Sequence, residues 1–211
     1  MPVAPPRPRR KQRRSPGLFP ILLILVAGLA VIKWIDPFAS RRFPAPATPD
    51  WITADLLPVN PYSRPGEPLD TVNGVVVHYV GNPGTTAAQN HSYFEGLAQT
   101  GETYASSHFL IGLDGEILLN VPLDEIAYCS NDRNEDTISI ECCHPDGTGA
   151  FTPETYDALV RLVRWLMEYY QLEPSQILRH YDVTGKACPL YFVVHPDAWE
   201  RFLGDVSPAE E

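Results

Sequence analysis

The 211-residue chain predicts an α/β domain with a mixed central β-sheet flanked by helices, preceded by one N-terminal transmembrane helix. Three observations predict it. Short β-branched runs alternate with longer segments of helical period, which is typical of a sheet covered by helices. Two of the runs are separated only by a tight turn, which adds a hairpin and makes the sheet mixed. A long apolar run near the start follows a cluster of basic residues, the pattern of a membrane anchor.

The first 35 residues have the pattern of a membrane-targeting segment. Residues 1–17 carry six Arg and Lys with no acidic residue, and residues 18–35 are almost entirely apolar. At a rise of about 1.5 Å per residue, the second segment spans roughly 27 Å, enough for a thin bilayer core. The positive-inside rule then predicts a single-pass protein of the cell membrane, with a cytoplasmic N-terminus and an extracytoplasmic body. A cleaved signal peptide is the alternative, because Gly28-Leu29-Ala30 resembles a cleavage site, although it lies inside the apolar run.

Charge and composition divide the rest of the chain. Residues 36–50 are rich in proline and predict a semi-extended tether, whereas residues 51–211 have the composition of a folded domain. Residues 1–42 sum to a charge of +8 and residues 43–211 to −18. Nucleic-acid binding needs a basic face that neutralises phosphates, so the acidic body excludes nucleic acid as a partner.

Residues 51–211 contain several short predicted strands and longer predicted helices. Residues 74–81 form a β-branched run between glycines, which predicts a buried strand. Thr86 and Gln89 match a capping box, which predicts a helix over residues 87–97. The remaining predicted elements are a hairpin of 107–111 and 116–121, a strand at 137–142, a helix at 153–171 that Thr152 caps, a strand at 177–179 and a last helix at 196–203.

A histidine and a cysteine near the C-terminus suggest a metal site. His180 lies eight residues before Cys188, and imidazole and thiolate are ligands that zinc favours. A catalytic zinc ion usually takes three protein ligands and keeps one open position. His78, near the end of a predicted strand, is favoured as the third ligand, and His108 is the alternative. The other histidines are interpreted as ordinary surface or capping residues: His91, His144 and His195.

The carboxyl edge of the predicted sheet is the expected place for this site. His78, Glu141 and His180 all lie at the ends of predicted strands, and ligands of α/β sheets bind beyond such ends. One site can therefore gather all three side chains. Lys186 lies two residues before Cys188, so its cation can reach the same pocket.

Four motifs in this order resemble the zinc-dependent N-acetylmuramoyl-L-alanine amidases, a family similar to the peptidoglycan-recognition proteins and the phage amidases. They are Val77-His78-Tyr79-Val80, Ser107-His108-Phe109-Leu110-Ile111, Ile138-Ser139-Ile140-Glu141, and His180-Tyr181-Asp182-Val183 with Lys186-Ala187-Cys188-Pro189. The resemblance covers roughly residues 51–204. It implies that His78, His180 and Cys188 bind Zn²⁺ and that Glu141 is a catalytic carboxylate. Peptidoglycan and its muropeptides are the implied substrate, cleaved at the amide between N-acetylmuramic acid and L-alanine.

Lys186 is expected to complete the chemistry as a cation that stabilises the developing oxyanion. One position departs from the pattern. Some relatives carry a catalytic tyrosine directly before the residue that matches His108, and this chain has Ser107 there. Glu141 is therefore expected to carry more of the acid–base role, with Tyr79 or Tyr104 as alternative substitutes for the missing tyrosine.

Two questions stay open from the sequence. Cys129, Cys142 and Cys143 are expected to be buried free thiols, with a bridge from Cys129 to Cys142 or Cys143 as the alternative in an exported domain. A non-catalytic wall-binding module is the second functional hypothesis, although the presence of Cys188 argues against it. A zinc hydrolase of another amide or ester is the third.

Overall fold

A computed structural model describes residues 45–207. The predicted basic segment 1–17, the predicted anchor 18–35 and the start of the predicted tether 36–50 lie outside the described residues. Within residues 45–207, no helix has both the length and the apolar character needed to cross a membrane.

Six strands of this part of the chain form one mixed sheet. Their bounds are Thr53–Ala54 (β1), Gly74–Tyr79 (β2), Phe109–Ile111 (β3), Ile117–Leu119 (β4), Thr137–Cys142 (β5) and Ile177–Arg179 (β6). The spatial order is β1-β4-β3-β5-β2-β6. The β3–β4 hairpin is antiparallel, while the other neighbours in the sheet are parallel. The mixed sheet is therefore confirmed. The two-residue edge strand β1, which is exposed, was too short to give a sequence pattern.

The central strand β2 carries a continuous apolar run because it is covered on both faces. Val75, Val76 and Val77 are all fully buried, which is typical of a strand inside a parallel sheet. β2 pairs with β5 on one side and β6 on the other, so the carboxyl ends of three parallel strands meet at one edge. The candidate site is predicted to lie at this edge.

Five helices pack around the sheet in the described region. They are Ala87–Thr100 (α1), Pro153–Tyr170 (α2), His180–Thr184 (α3), Leu190–Val194 (α4) and Pro196–Val206 (α5). The capping box at Thr86 is present, and the Thr152 side chain accepts a hydrogen bond from the Thr155 N–H at the start of α2. The three longer helices match the prediction within a few residues. The five-residue helices α3 and α4 were missed, because one turn is too short to show a period.

Two apolar clusters lie on opposite faces of the sheet. Phe109, Ile111 and Ile140 belong to the cluster that α2 and α5 cover, whereas Leu110 belongs to the cluster under α1. Strand alternation also separates the adjacent cysteines: Cys142 lies in the first cluster and Cys143 in the second. The sheet face under α1 is less apolar than the opposite face, and the polar strand residues of the site lie on it.

Candidate active site

Three side chains with zinc-type donor atoms converge at the carboxyl edge of the sheet. His78 comes from β2, His180 opens α3 directly after β6, and Cys188 lies between α3 and α4. All three are buried. The Nδ1 atom of His78 is 3.1 Å from Nδ1 of His180 and 3.9 Å from Sγ of Cys188. The three donor atoms lie within 4.8 Å of one another.

The donor set fits the tetrahedral coordination of a metal ion. With Zn–N near 2.1 Å and Zn–S near 2.3 Å, ligand atoms of one tetrahedral site lie about 3.3–3.6 Å apart, and the separations of 3.1 and 3.9 Å bracket that range. The outer nitrogen of His180 is engaged elsewhere, because its Nε2 lies 2.9 Å from Oδ1 of Asn131. An amide oxygen only accepts, so the proton of His180 is on Nε2 and the lone pair of Nδ1 faces the cluster.

The protonation states also suit metal binding. Burial, together with His180 and Lys186, holds the pKa of His78 well below its usual value. Burial and then Lys186 lower the pKa of His180. Both imidazoles are therefore neutral at pH 7, as metal ligands must be. Burial raises the pKa of Cys188 to about 12, so this thiol ionises at neutral pH only beside a strong positive charge such as a metal ion.

Glu141 lies next to this cluster on β5. Its Oε1 atom accepts a hydrogen bond from Sγ of Cys129 at 3.7 Å, whereas Oε2 is buried and has no hydrogen-bond partner among residues 45–207. Burial raises the pKa of Glu141 to about 7, against the lowering effects of Lys186 and the Cys129 hydrogen bond. A carboxyl group with a pKa near 7 can both accept and release a proton at neutral pH.

A cleft of about 330 Å³ opens beside these groups. His78, His180, Glu141 and Lys186 all line it, and Lys186 is exposed on the loop before Cys188. Its other walls are aromatic and polar, including Phe94, Tyr104, Tyr128 and Asn134. A second cavity of about 320 Å³ is bordered by α2, α4 and α5, but neither His nor Cys lines it. The first cleft is therefore the candidate active site.

His108, the alternative third ligand, is engaged away from the cluster. Its Nδ1 atom accepts from the Ser139 N–H at 3.0 Å, and its Nε2 atom donates to the Glu125 carbonyl at 3.0 Å. Burial lowers the pKa of His108 to about 4, which keeps the ring neutral. The ring ties β5 to the segment after β4, which is a structural role.

Two further histidines are not the surface residues that were expected. His91 is buried and its Nδ1 atom lies 2.9 Å from Oδ1 of Asn120. His144 is buried too, with Nε2 2.9 Å from the Val80 carbonyl. Their partners come from distant segments, so the local sequence could not show the burial. His195 is exposed at the start of α5, as expected.

Ser107, which takes the place of the catalytic tyrosine of some relatives, does not line the cleft. Ser107 is fully buried and its hydroxyl donates to the Phe109 carbonyl at 2.8 Å. Of the two alternative tyrosines, Tyr104 lines the cleft and is 62% exposed. Tyr79 packs against His144, with ring centroids 4.9 Å apart, and is not among the cleft-lining residues.

The loop between β4 and β5 contributes site residues that the sequence analysis missed. Cys129 contacts Glu141, Ser130 lies 3.1 Å from Nε2 of His78, and Asn131 contacts His180. No periodic pattern or known spacing marks these residues. Cys129 was expected to be a free thiol without a role in the site, and all four cysteines are indeed free thiols.

Comparisons with known proteins agree with this arrangement. The Amidase_2 family model, described as N-acetylmuramoyl-L-alanine amidase, matches residues 68–190. A probable N-acetylmuramoyl-L-alanine amidase of Bacillus licheniformis is 34% identical over 166 residues, which cover 72% of this chain and 44% of the relative. The N-acetylmuramoyl-L-alanine amidase CwlL of the same organism is 34% identical over 155 residues, covering 67% and 42%. The chain thus spans less than half the length of these curated relatives.

The solved structures show the same fold. The catalytic domain of XlyA superposes with a TM-score of 0.62 and 28% sequence identity, covering 74% of this chain and 99% of that one. A mutant endolysin from Bacillus subtilis gives the same TM-score at 25% identity, covering 74% and 98%. The matched part of the chain therefore corresponds to nearly the whole of each of these two structures.

Proposed function

Because this chain belongs to the Amidase_2 family of N-acetylmuramoyl-L-alanine amidases, we propose that it hydrolyses the amide between N-acetylmuramic acid and L-alanine in peptidoglycan with the help of Zn²⁺. The observation that carries the proposal is the convergence of His78, His180 and Cys188 beside the cleft that Glu141 and Lys186 line. A cleft with a metal-type donor set, a carboxyl group of raised pKa and a cation has the parts that metal-assisted hydrolysis needs.

In this proposal each residue has a separate task. His78 and His180 would hold the ion through Nδ1, and Cys188 would hold it through Sγ. A bound Zn²⁺ supplies Lewis acidity, which polarises the scissile carbonyl and acidifies water. Glu141 accepts a proton from the attacking water and returns it to the amine of the leaving L-alanine. Its buried Oε2 atom, unpartnered within the described part of the chain, is the suitable acceptor.

Lys186 acts by electrostatic stabilisation and does not transfer protons. Its proximity to the reacting groups is supported by its effect on the pKa values of Glu141 and His180, both of which it lowers. As an exposed residue at the cleft, its ammonium group can approach the substrate carbonyl oxygen, where negative charge develops. A cation at that point stabilises the transition state more than the ground state.

The test is digestion of purified peptidoglycan sacculi by the full-length protein, followed by mass analysis of the products. We expect free stem peptides that begin with L-alanine, and glycan strands that have lost them. A chelator should abolish the release and added Zn²⁺ should restore it. Binding to sacculi without release of peptides would instead favour the wall-binding module, and cleavage of a different amide or ester would favour the third hypothesis.

We also propose that residues 18–35 anchor the enzyme in the cell membrane and that residues 36–50 hold the domain outside the cytoplasm. The support is the order of basic cluster, apolar run and proline-rich segment in the sequence. A tether of this length reaches up to roughly 45 Å and keeps the enzyme concentrated near the wall. Fractionation of cells that express the full chain, with protease added outside, tests this. A full-length product in the soluble fraction, or one protected from protease, contradicts it.

A further inference from the structure

One short loop contacts both candidate histidine ligands, although these are 102 residues apart in the chain. The loop consists of residues 129–134, between β4 and β5. The Ser130 hydroxyl lies 3.1 Å from Nε2 of His78, and Oδ1 of Asn131 lies 2.9 Å from Nε2 of His180. Two consecutive residues therefore contact the outer nitrogens of the two rings.

The loop is itself held in a defined shape. Oδ1 of Asn134 accepts hydrogen bonds from the N–H groups of Cys129 at 3.0 Å and Ser130 at 2.6 Å. Asn131 has a φ of 53°, in the left-handed region that asparagine adopts more readily than most residues other than glycine. The Thr137 hydroxyl donates to the Arg133 carbonyl and closes the end of the loop. The two contacts to the histidines therefore come from one ordered unit.

The two contacts differ in chemistry. The amide oxygen of Asn131 can only accept, so it requires the proton of His180 on Nε2. The hydroxyl of Ser130 can donate or accept, so it can serve either tautomer of His78. The 3.1 Å separation of the two Nδ1 atoms also fits two arrangements. Either His78 donates an Nδ1–H to His180, or the lone pairs of both Nδ1 atoms face one ion.

We propose that the 129–134 loop is the positioning element of this site. Asn131 fixes His180 in the tautomer that carries its proton on Nε2, and Ser130 holds His78 in either of its two tautomers. Without the ion, Ser130 donates to Nε2 of His78, whose proton lies on Nδ1. Binding of an ion at Nδ1 would require that Nδ1 give its proton to solvent and that Nε2 take one up, which the Ser130 hydroxyl could then accept. The ring stays neutral throughout. This inference rests on the metal site of the proposed function.

Zinc affinity of the full-length protein, measured by competition with a chromophoric chelator, is the first test. Asn131→Gly removes the amide and keeps the left-handed φ accessible, and Ser130→Ala removes the hydroxyl. We expect each change to weaken zinc binding about 10- to 100-fold, as is typical for loss of a residue that orients a metal ligand. Ser63→Ala is the matched control, because Ser63 is a fully buried serine that accepts from Asn60 in the N-terminal lead-in. Affinities within twofold of the wild type for both loop variants would overturn the proposal.

The second test measures the histidine tautomers from ¹H–¹⁵N correlation spectra of ¹⁵N-histidine-labelled protein. We expect His180 to carry its proton on Nε2 with and without Zn²⁺, and His78 to move its proton from Nδ1 to Nε2 on zinc binding. An Nε2 proton on His78 in both states refutes the role of Ser130, and an Nδ1 proton on His180 refutes that of Asn131. A protein that shows the expected tautomers but releases no stem peptides supports the positioning loop and refutes the amidase proposal.

Discussion

His78 and Glu141 are paired across the β2–β5 ladder, so an imidazole and a carboxylate project side by side from one face of the sheet. Because the two strands are parallel and in register, each side chain is the next to last of its strand. The pairing places a candidate metal ligand and a candidate base next to each other on two central strands of the sheet.

Replacing Glu141 with Gln keeps the shape of the side chain but removes its ability to accept a proton. We expect stem-peptide release to fall by about 10²- to 10⁴-fold, the usual contribution of a general base. The zinc content should stay at the wild-type level, since the three proposed ligands are untouched. Peptide release and bound zinc are measured on the same preparation. Retention of most of the activity would remove Glu141 from the mechanism.

Cys129 is expected to position Glu141 rather than to react. Burial, with Glu141 and Cys188 nearby, raises the pKa of Cys129 well above its usual value, so the thiol stays protonated and donates to Oε1. Cys129→Ala should lower kcat about 5-fold with little change in KM, because a hydrogen bond worth about 1 kcal/mol is lost. Cys129→Ser keeps a donor and should recover most of kcat. Equal losses in the two variants would indicate a packing role instead.

The main features of the site followed from the sequence because parallel strands bring their carboxyl ends together. His78, Glu141 and His180 each end or follow a short apolar run, and that pattern was enough to place them at one edge. Cys129 and Asn131 could not be found in this way, because their roles depend on a loop whose shape comes from side-chain hydrogen bonds. Such bonds leave no periodic trace in the sequence.

Removal of the metal should destabilise the protein, because the ion binds the folded chain. A ligand at 1,000 times its Kd stabilises by about 4 kcal/mol. We therefore expect a chelator to lower the Tm of the wild type by several degrees and added Zn²⁺ to restore it. Cys188→Ser, which lacks one proposed ligand, should show a much smaller shift in thermal unfolding scans. A chelator shift as large in Cys188→Ser as in the wild type would exclude Cys188 from the site.

His108 predicts a pH dependence of stability that is independent of the metal. Burial lowers the pKa of His108 to about 4, whereas an unfolded histidine titrates near its model value of 6.5. Between these two values the unfolded state binds more protons, so the contribution of His108 to stability is complete above about pH 6.5 and is lost as the pH falls toward 4. The total loss is about 3 kcal/mol, at 1.4 kcal/mol for each unit of the shift.

The measurement is urea unfolding from pH 7.5 to 4 in the presence of a chelator, for the wild type and for His108→Gln. Glutamine can also donate and accept, but it does not titrate. The contributions of His78 and His180 are present in both proteins and cancel in the difference. We expect the stability advantage of the wild type over His108→Gln to shrink by about 3 kcal/mol as the pH falls toward 4. A difference that stays constant with pH would show that burial does not hold His108 neutral.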